Sequence, residues 1–139
     1  MNRFQRTRQD HRHETAEDYV ELVASLIEER GEARAVDLAD RFGVSQVTVS
    51  KTIKRLVREG YLRSEPYRSI FLTDEGRKLA EHSRERHRIV LDFLRMIGVP
   101  EASAQQDVEG IEHHVSKDTL EAMRRQLEPR GLQKSITPV

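Results

Sequence analysis

The segment Ala35 to Leu62, AVDLADRFGVSQVTVSKTIKRLVREGYL, allows very few folds. Ala35 to Phe42 has the length and spacing of a short helix. Gly43-Val44-Ser45 reads as a tight turn, with Gly43 suited to a positive φ. Ser45 is a natural N-cap for a second helix that runs to about Glu59. Small Ala39 lets the two helices approach closely, and Val49, Ile53, Leu56 and Val57 are expected to face inward. That is the pattern of a helix-turn-helix. Tyr61 to Arg63 and Ser69 to Thr73, around a polar turn from Glu65 to Arg68, predict a two-stranded hairpin, a wing placed directly after the second helix.

The other elements follow from periodicity. Tyr19, Leu22, Val23, Leu26 and Ile27 give one apolar stripe, predicting a helix from Thr15 to Arg30 that ends at Gly31. Thr73 or Asp74 caps a long helix from about Glu75 to Ile97, which Gly98-Val99-Pro100 breaks. Another helix spans about Glu101 to Val115, and Ser116 caps a last one to about Leu127. Residues 1–14 lack apolar periodicity and are expected to be a flexible basic arm. Whether that arm touches DNA stays open. Residues 129–139 read as a loose tail. The expected fold is mainly α, a winged helix-turn-helix DNA-binding domain over 15–76 and a helical metal-binding and dimerisation domain over 77–128.

Charge separates two functions. Lysines and arginines number 24 and acids 24, so the net charge is zero. Yet Ser45 to Arg68 holds Lys51, Lys54, Arg55, Arg58, Arg63 and Arg68 against Glu59 and Glu65. Glu101 to Asp118 holds Glu101, Asp107, Glu109, Glu112 and Asp118 against Lys117. A polyanion suits the first region and a cation the second. There is no cysteine, which excludes thiolate metal sites and disulfides and fits a cytoplasmic protein. The apolar run from Ile89 to Val99 contains Asp92 and Arg95, so no membrane span is expected. The N-terminus lacks the apolar core of a signal peptide.

With Val49, Ile53 and Leu56 inward, the opposite face of the second helix carries Gln46, Val47, Thr48, Ser50, Lys51, Lys54 and Arg55. Gln46, Val47 and Lys51 stand where base edges are usually read: an amide suits adenine, an apolar group the thymine methyl, a lysine guanine. Thr48, Ser50, Lys54 and Arg55 are placed for phosphates, and Arg68 at the wing tip for backbone or minor groove. One recognition helix reads too little sequence, and Ile89 to Ile97 offers more than one apolar stripe. A homodimer on a pseudo-palindromic double-stranded operator is therefore expected.

Glu109, Glu112 and His113 stand at i, i+3 and i+4 and share one helix face. Two carboxylates and an imidazole are costly to bury without a counter-charge, and a divalent cation supplies one. Oxygen-rich ligation without sulfur, with some imidazole, suits an ion such as Mn(II).

The winged helix-turn-helix, the long linking helix and the string Asp107-Val108-Glu109-Gly110-Ile111-Glu112-His113-His114 closely resemble the diphtheria toxin repressor family of metal-dependent transcription regulators. Glu17-Asp18-Tyr19-Val20-Glu21, Arg86-His87 and Ile97-Gly98-Val99 extend the resemblance from about Glu14 to Leu127. It implies metal ligands at Asp18, Glu21, His87, Glu109, Glu112 and His113, with the carbonyl of Gly110, and two Mn(II) ions per subunit. Four carboxylates balance two doubly charged ions. His114 is expected to pack or support a ligand, and His11, His13 and His82 to lie at the surface. Iron-responsive members usually place a Cys where this chain has Glu112, a Met where it has Asp18, and a further β-barrel after the point where this sequence ends. Those departures favour manganese, with iron the alternative effector. The implied role is repression of manganese uptake genes, with activation at some promoters still open. A dinuclear carboxylate enzyme is disfavoured. Such helical oxidases repeat Glu-x-x-His, but Gly110 precedes His113 by three and Arg84 precedes His87 by three.

Overall fold

The computed structural model describes residues 2–65 and 69–129. By compactness the chain divides into two units, Met1–Ser83 and Arg84–Val139.

In the first unit α1 spans Arg3–Arg30, twelve residues longer at its start than the periodicity predicts. Residues 3–14 are therefore helical rather than a flexible arm. The cause is local. Asn2 and Gln5 form a capping box, with the Gln5 amide donating to Asn2 Oδ1 at 2.9 Å and the Asn2 amide to Gln5 Oε1 at 3.0 Å. No Gly or Pro follows before Gly31. Exposed turns need propensity and a cap, not an apolar stripe. Gly31 ends the helix at φ 81°.

The helix-turn-helix follows as α2 (Ala35–Phe42) and α3 (Gln46–Arg58). Gly43 takes φ 67°, and Ser45 Oγ accepts from the Thr48 amide at 3.1 Å. Val49, Ile53 and Leu56 are buried, but Val57 is 39% exposed. Val57 sits at the edge of the stripe, about 80° round the helix from Val49. The wing is β1 (Leu62–Ser64) against β2 (Ile70–Leu72), antiparallel, with Leu62 opposite Leu72 and Ser64 opposite Ile70. Leu62 and Ile70 drop into the core, where Tyr19, Val20, Val23 and Leu26 of α1 meet Leu38, Val49 and Leu56. Tyr19 stacks on Phe42 with ring centroids 4.7 Å apart. Thr73 closes the unit: its hydroxyl donates to the Gly60 carbonyl and accepts from the Gly76 amide. At Gly76 a side chain would collide with the Tyr61 carbonyl, so the backbone runs too close for any Cβ.

The helix α4 (Asp74–Met96) begins in this unit and continues into the second. There α5 (Glu101–His114) and α6 (Lys117–Gln126) fold on its later turns. Val90, Leu91, Leu94, Ala104 and Val108 are buried together, with Leu120 and Met123 of α6 against them. Arg95 grips Glu101 with two hydrogen bonds, 2.9 and 2.5 Å, bracing the corner after α4. Those bonds hold the Glu101 carboxyl down at about 2. Met96 and Ile97 remain 48% and 58% exposed, an apolar edge that a monomer leaves in water. No helix among the described residues is long and apolar enough to cross a membrane.

Candidate metal centre and nucleic-acid interface

In the second unit α4 presents His87 and α5 presents Glu109 and Glu112 to one point. One ligand atom from each lies within 4.8 Å of the others. His87 Nδ1 sits 2.8 Å from Glu112 Oε2, and His113 Nε2 sits 3.4 Å from Glu112 Oε1. Glu112 is 2% exposed. The His113 side chain is equally buried, whereas Glu109 is open to solvent. A carboxylate this enclosed needs positive charge around it. Two imidazoles touch it, and the nearby Arg86 guanidinium feels its charge while burial pulls the arginine pKa down. Gly110 lies in α5 with open space where a Cβ would be, so crowding does not require a glycine there. His114 is exposed rather than packed.

The first unit contributes its own acids. Asp18 and Glu21 lie on α1, both half-buried, and Glu21 Oε1 is buried without a hydrogen-bond partner among the described residues. An orphaned carboxylate oxygen fits a cation ligand better than a structural acid. Glu14, upstream of the helix start that the apolar periodicity predicts, stands one turn before Asp18. It makes a row Glu14, Asp18, Glu21 at i, i+4 and i+7. The spacing was there to be read, once the Asn2 to Gln5 cap is taken as a helix start. Glu17 is fully buried, and His13, exposed as expected, brings its Nε2 to 3.6 Å from it. His11 and His82 are exposed.

On α3, Gln46, Val47, Thr48, Ser50, Lys51 and Lys54 are all exposed. Val47 is 66% exposed, an apolar side chain held out in water at the start of the helix. Thr48 shares its hydroxyl with Ser45 at 3.0 Å. Arg55 is the exception: its side chain is 20% exposed, faces Glu59 at 3.6 Å and donates to the Arg12 carbonyl at 3.3 Å. Arg68 lies outside the described residues.

A winged helix-turn-helix in the first unit and a carboxylate–imidazole cluster in the second are the parts of a DNA-binding, metal-dependent transcriptional regulator. Residues 12–70 match the family described as "Iron dependent repressor, N-terminal DNA binding domain", and residues 73–130 match "Iron dependent repressor, metal binding and dimerisation domain". The chain belongs to this iron-dependent repressor family. It is 54% identical over 121 residues to the transcriptional regulator MntR of Escherichia coli O157:H7, covering 87% of this chain and 78% of that one. It is 43% identical over 105 residues to the HTH-type transcriptional regulator MntR of Geobacillus kaustophilus, covering 76% and 74%. Among solved structures, a manganese-dependent transcriptional repressor in complex with manganese superposes with a TM-score of 0.72 at 29% identity. That match covers 81% of this chain and 52% of the other, so the chain spans about half the length of that solved protein.

Proposed function

We propose that this chain is a manganese-responsive regulator that binds its operator when Mn(II) is plentiful and mainly represses manganese uptake genes. The observation that carries the reading is the convergence of His87, Glu109 and Glu112 from two helices. The donor set is oxygen and imidazole with no sulfur, as a hard to borderline ion prefers. The relatives named MntR and the manganese-bound repressor support the same metal. Glu112 stands where iron-responsive relatives would carry a thiolate, which argues against iron.

His87, Glu109, Glu112 and His113, with the Gly110 carbonyl, would hold manganese in the second unit. The family resemblance adds Asp18 and Glu21 from α1 and a count of two ions per subunit. When bound, the divalent ions supply the positive charge that these carboxylates lack. Without such ions, these four carboxylates would repel one another wherever they were brought together. Holding them together costs free energy that the protein need not spend if the α1 acids stand off. A full switch from 1:99 to 99:1 needs about 5.5 kcal/mol of differential binding, roughly 2–3 kcal/mol per ion if two act together. Multidentate coordination supplies that much.

We read residues 15–76 as the DNA-reading part and 77–128 as the metal-binding and dimerising part. Gln46, Val47 and Lys51 would meet base edges, and Thr48, Ser50, Lys54 and Arg68 phosphates. Arg55, already engaged by Glu59 and the Arg12 carbonyl, has the weaker claim to a phosphate. A homodimer in the cytoplasm, joined partly through the apolar edge at Met96 and Ile97, would set two recognition helices on pseudo-palindromic half-sites about one helical turn apart. The test is a mobility shift on operator DNA in EDTA, then with Mn(II) or Fe(II) added back at one salt concentration. Binding restored by Mn(II) supports the reading. Binding indifferent to EDTA sinks it, and restoration by Fe(II) alone assigns the other metal.

A further inference from the structure

We propose that the first turns of α1 form a second DNA-binding surface, a basic ridge of Arg8 and Arg12 that holds backbone phosphates beside the recognition helix. The proposal deepens the functional reading above and rests on it for the identity of the partner. Three observations carry it. First, α1 is one unbroken helix from Arg3, so these side chains are held on a rigid element. Second, Arg8 and Arg12 lie on the side of α1 that packs the first unit. Arg8 precedes buried Tyr19 by eleven residues, and Arg12 precedes Tyr19 by seven and buried Val23 by eleven. Each interval returns to within about 20° of the same direction on a helix. The side that is apolar from Ala16 onward thus becomes basic as it leaves the core. Third, Arg55 of α3 donates to the Arg12 carbonyl, so this ridge is physically joined to the helix that carries the DNA-reading residues.

Both guanidiniums are exposed, and neither makes an ion pair among the described residues. By contrast Arg3 and Arg6 lie on the opposite side of the helix, which continues toward its C-terminus with Asp10, Glu14 and Glu17. A row of unpaired guanidiniums continuous with a basic recognition helix is complementary to a phosphate backbone. Phosphate contacts position the protein without reading sequence, so the ridge would add affinity to any duplex.

The test measures binding to a duplex of arbitrary sequence by fluorescence anisotropy over a salt series, with Mn(II) fixed. Each guanidinium that meets a phosphate contributes about 0.9 to the slope of log affinity against log salt. An Arg8→Gln/Arg12→Gln variant is expected to lose about 2 to 4 from the slope of the dimer, and Arg3→Gln/Arg6→Gln to keep it. Arg8→Lys/Arg12→Lys, which retains the charge, should bind like the parent; this separates lost charge from a frayed helix. An unchanged slope in Arg8→Gln/Arg12→Gln, or an equal loss in Arg3→Gln/Arg6→Gln, overturns the proposal. A parent protein that binds equally well in EDTA would refute metal gating while leaving this comparison intact.

Discussion

His87 Nδ1 meets Glu112 Oε2 at 2.8 Å, joining α4 to α5 across a carboxylate that is almost wholly buried. The pair is the kernel of the cluster, because Glu112 also touches His113 through its other oxygen. Replacing it tests whether the burial serves metal or stability.

Glu112→Gln keeps the shape and one acceptor but removes the charge. Mn(II) affinity by calorimetry should fall at least tenfold, and the rise in melting temperature on adding Mn(II) should vanish. In EDTA the variant should be as stable as the parent or more so, since a buried charge is costly to keep. A large loss of stability in EDTA with an intact Mn(II) response would contradict this assignment.

Glu21→Met addresses the orphaned oxygen on α1. Removing a buried, unsatisfied acceptor is expected to stabilise the metal-free protein by about 1 kcal/mol in urea unfolding. The same change should weaken Mn(II)-dependent DNA binding. Destabilisation in EDTA would show that Glu21 has a structural partner after all.

Gly76 and Gly110 should respond oppositely to alanine. At Gly76 the new Cβ meets the Tyr61 backbone carbonyl, which cannot swing away. A loss on the order of 1–3 kcal/mol is expected. At Gly110 nothing lies near the new Cβ, and alanine favours a helix over glycine by about 0.5–1 kcal/mol. Gly110→Ala should therefore raise stability and, because the carbonyl stays, leave Mn(II) binding in place. Chemical denaturation of both variants decides the matter.

The Arg95–Glu101 pair has a pH signature. The folded Glu101 pKa, about 2, is below its ordinary 4.5. A depressed carboxyl contributes stability above the ordinary value, and that contribution is lost as pH falls through the folded one. Glu101→Gln should flatten the fall of melting temperature between pH 4.5 and 2. Because both partners are exposed, the flattening should shrink in high salt. A parent-like profile in the variant would show that the pair contributes nothing.

Much of this was legible along the chain. The two helices around Gly43, their Ser45 cap, the break at Gly98 and the acidic face of α5 are local patterns, set by neighbours within one or two turns. What periodicity missed was also instructive. Residues 3–14 form a helix without an apolar stripe, because a cap and good helix formers suffice where nothing need be buried. Val57 is apolar, which predicts an inward side chain, but its angle on α3 leaves it at the edge.

The sequence by itself determined the element order, the class of DNA-reading motif and the kinds of ligand atoms on offer, because each depends on spacing within a single helix or hairpin. Only tertiary structure decided that His87, twenty-five residues from Glu112, shares its carboxylate, that Glu21 keeps an unanswered oxygen, and that Arg55 turns back to the Arg12 carbonyl. Those facts depend on how helices pack, and packing brings together groups whose separation along the chain carries no trace of their distance in space.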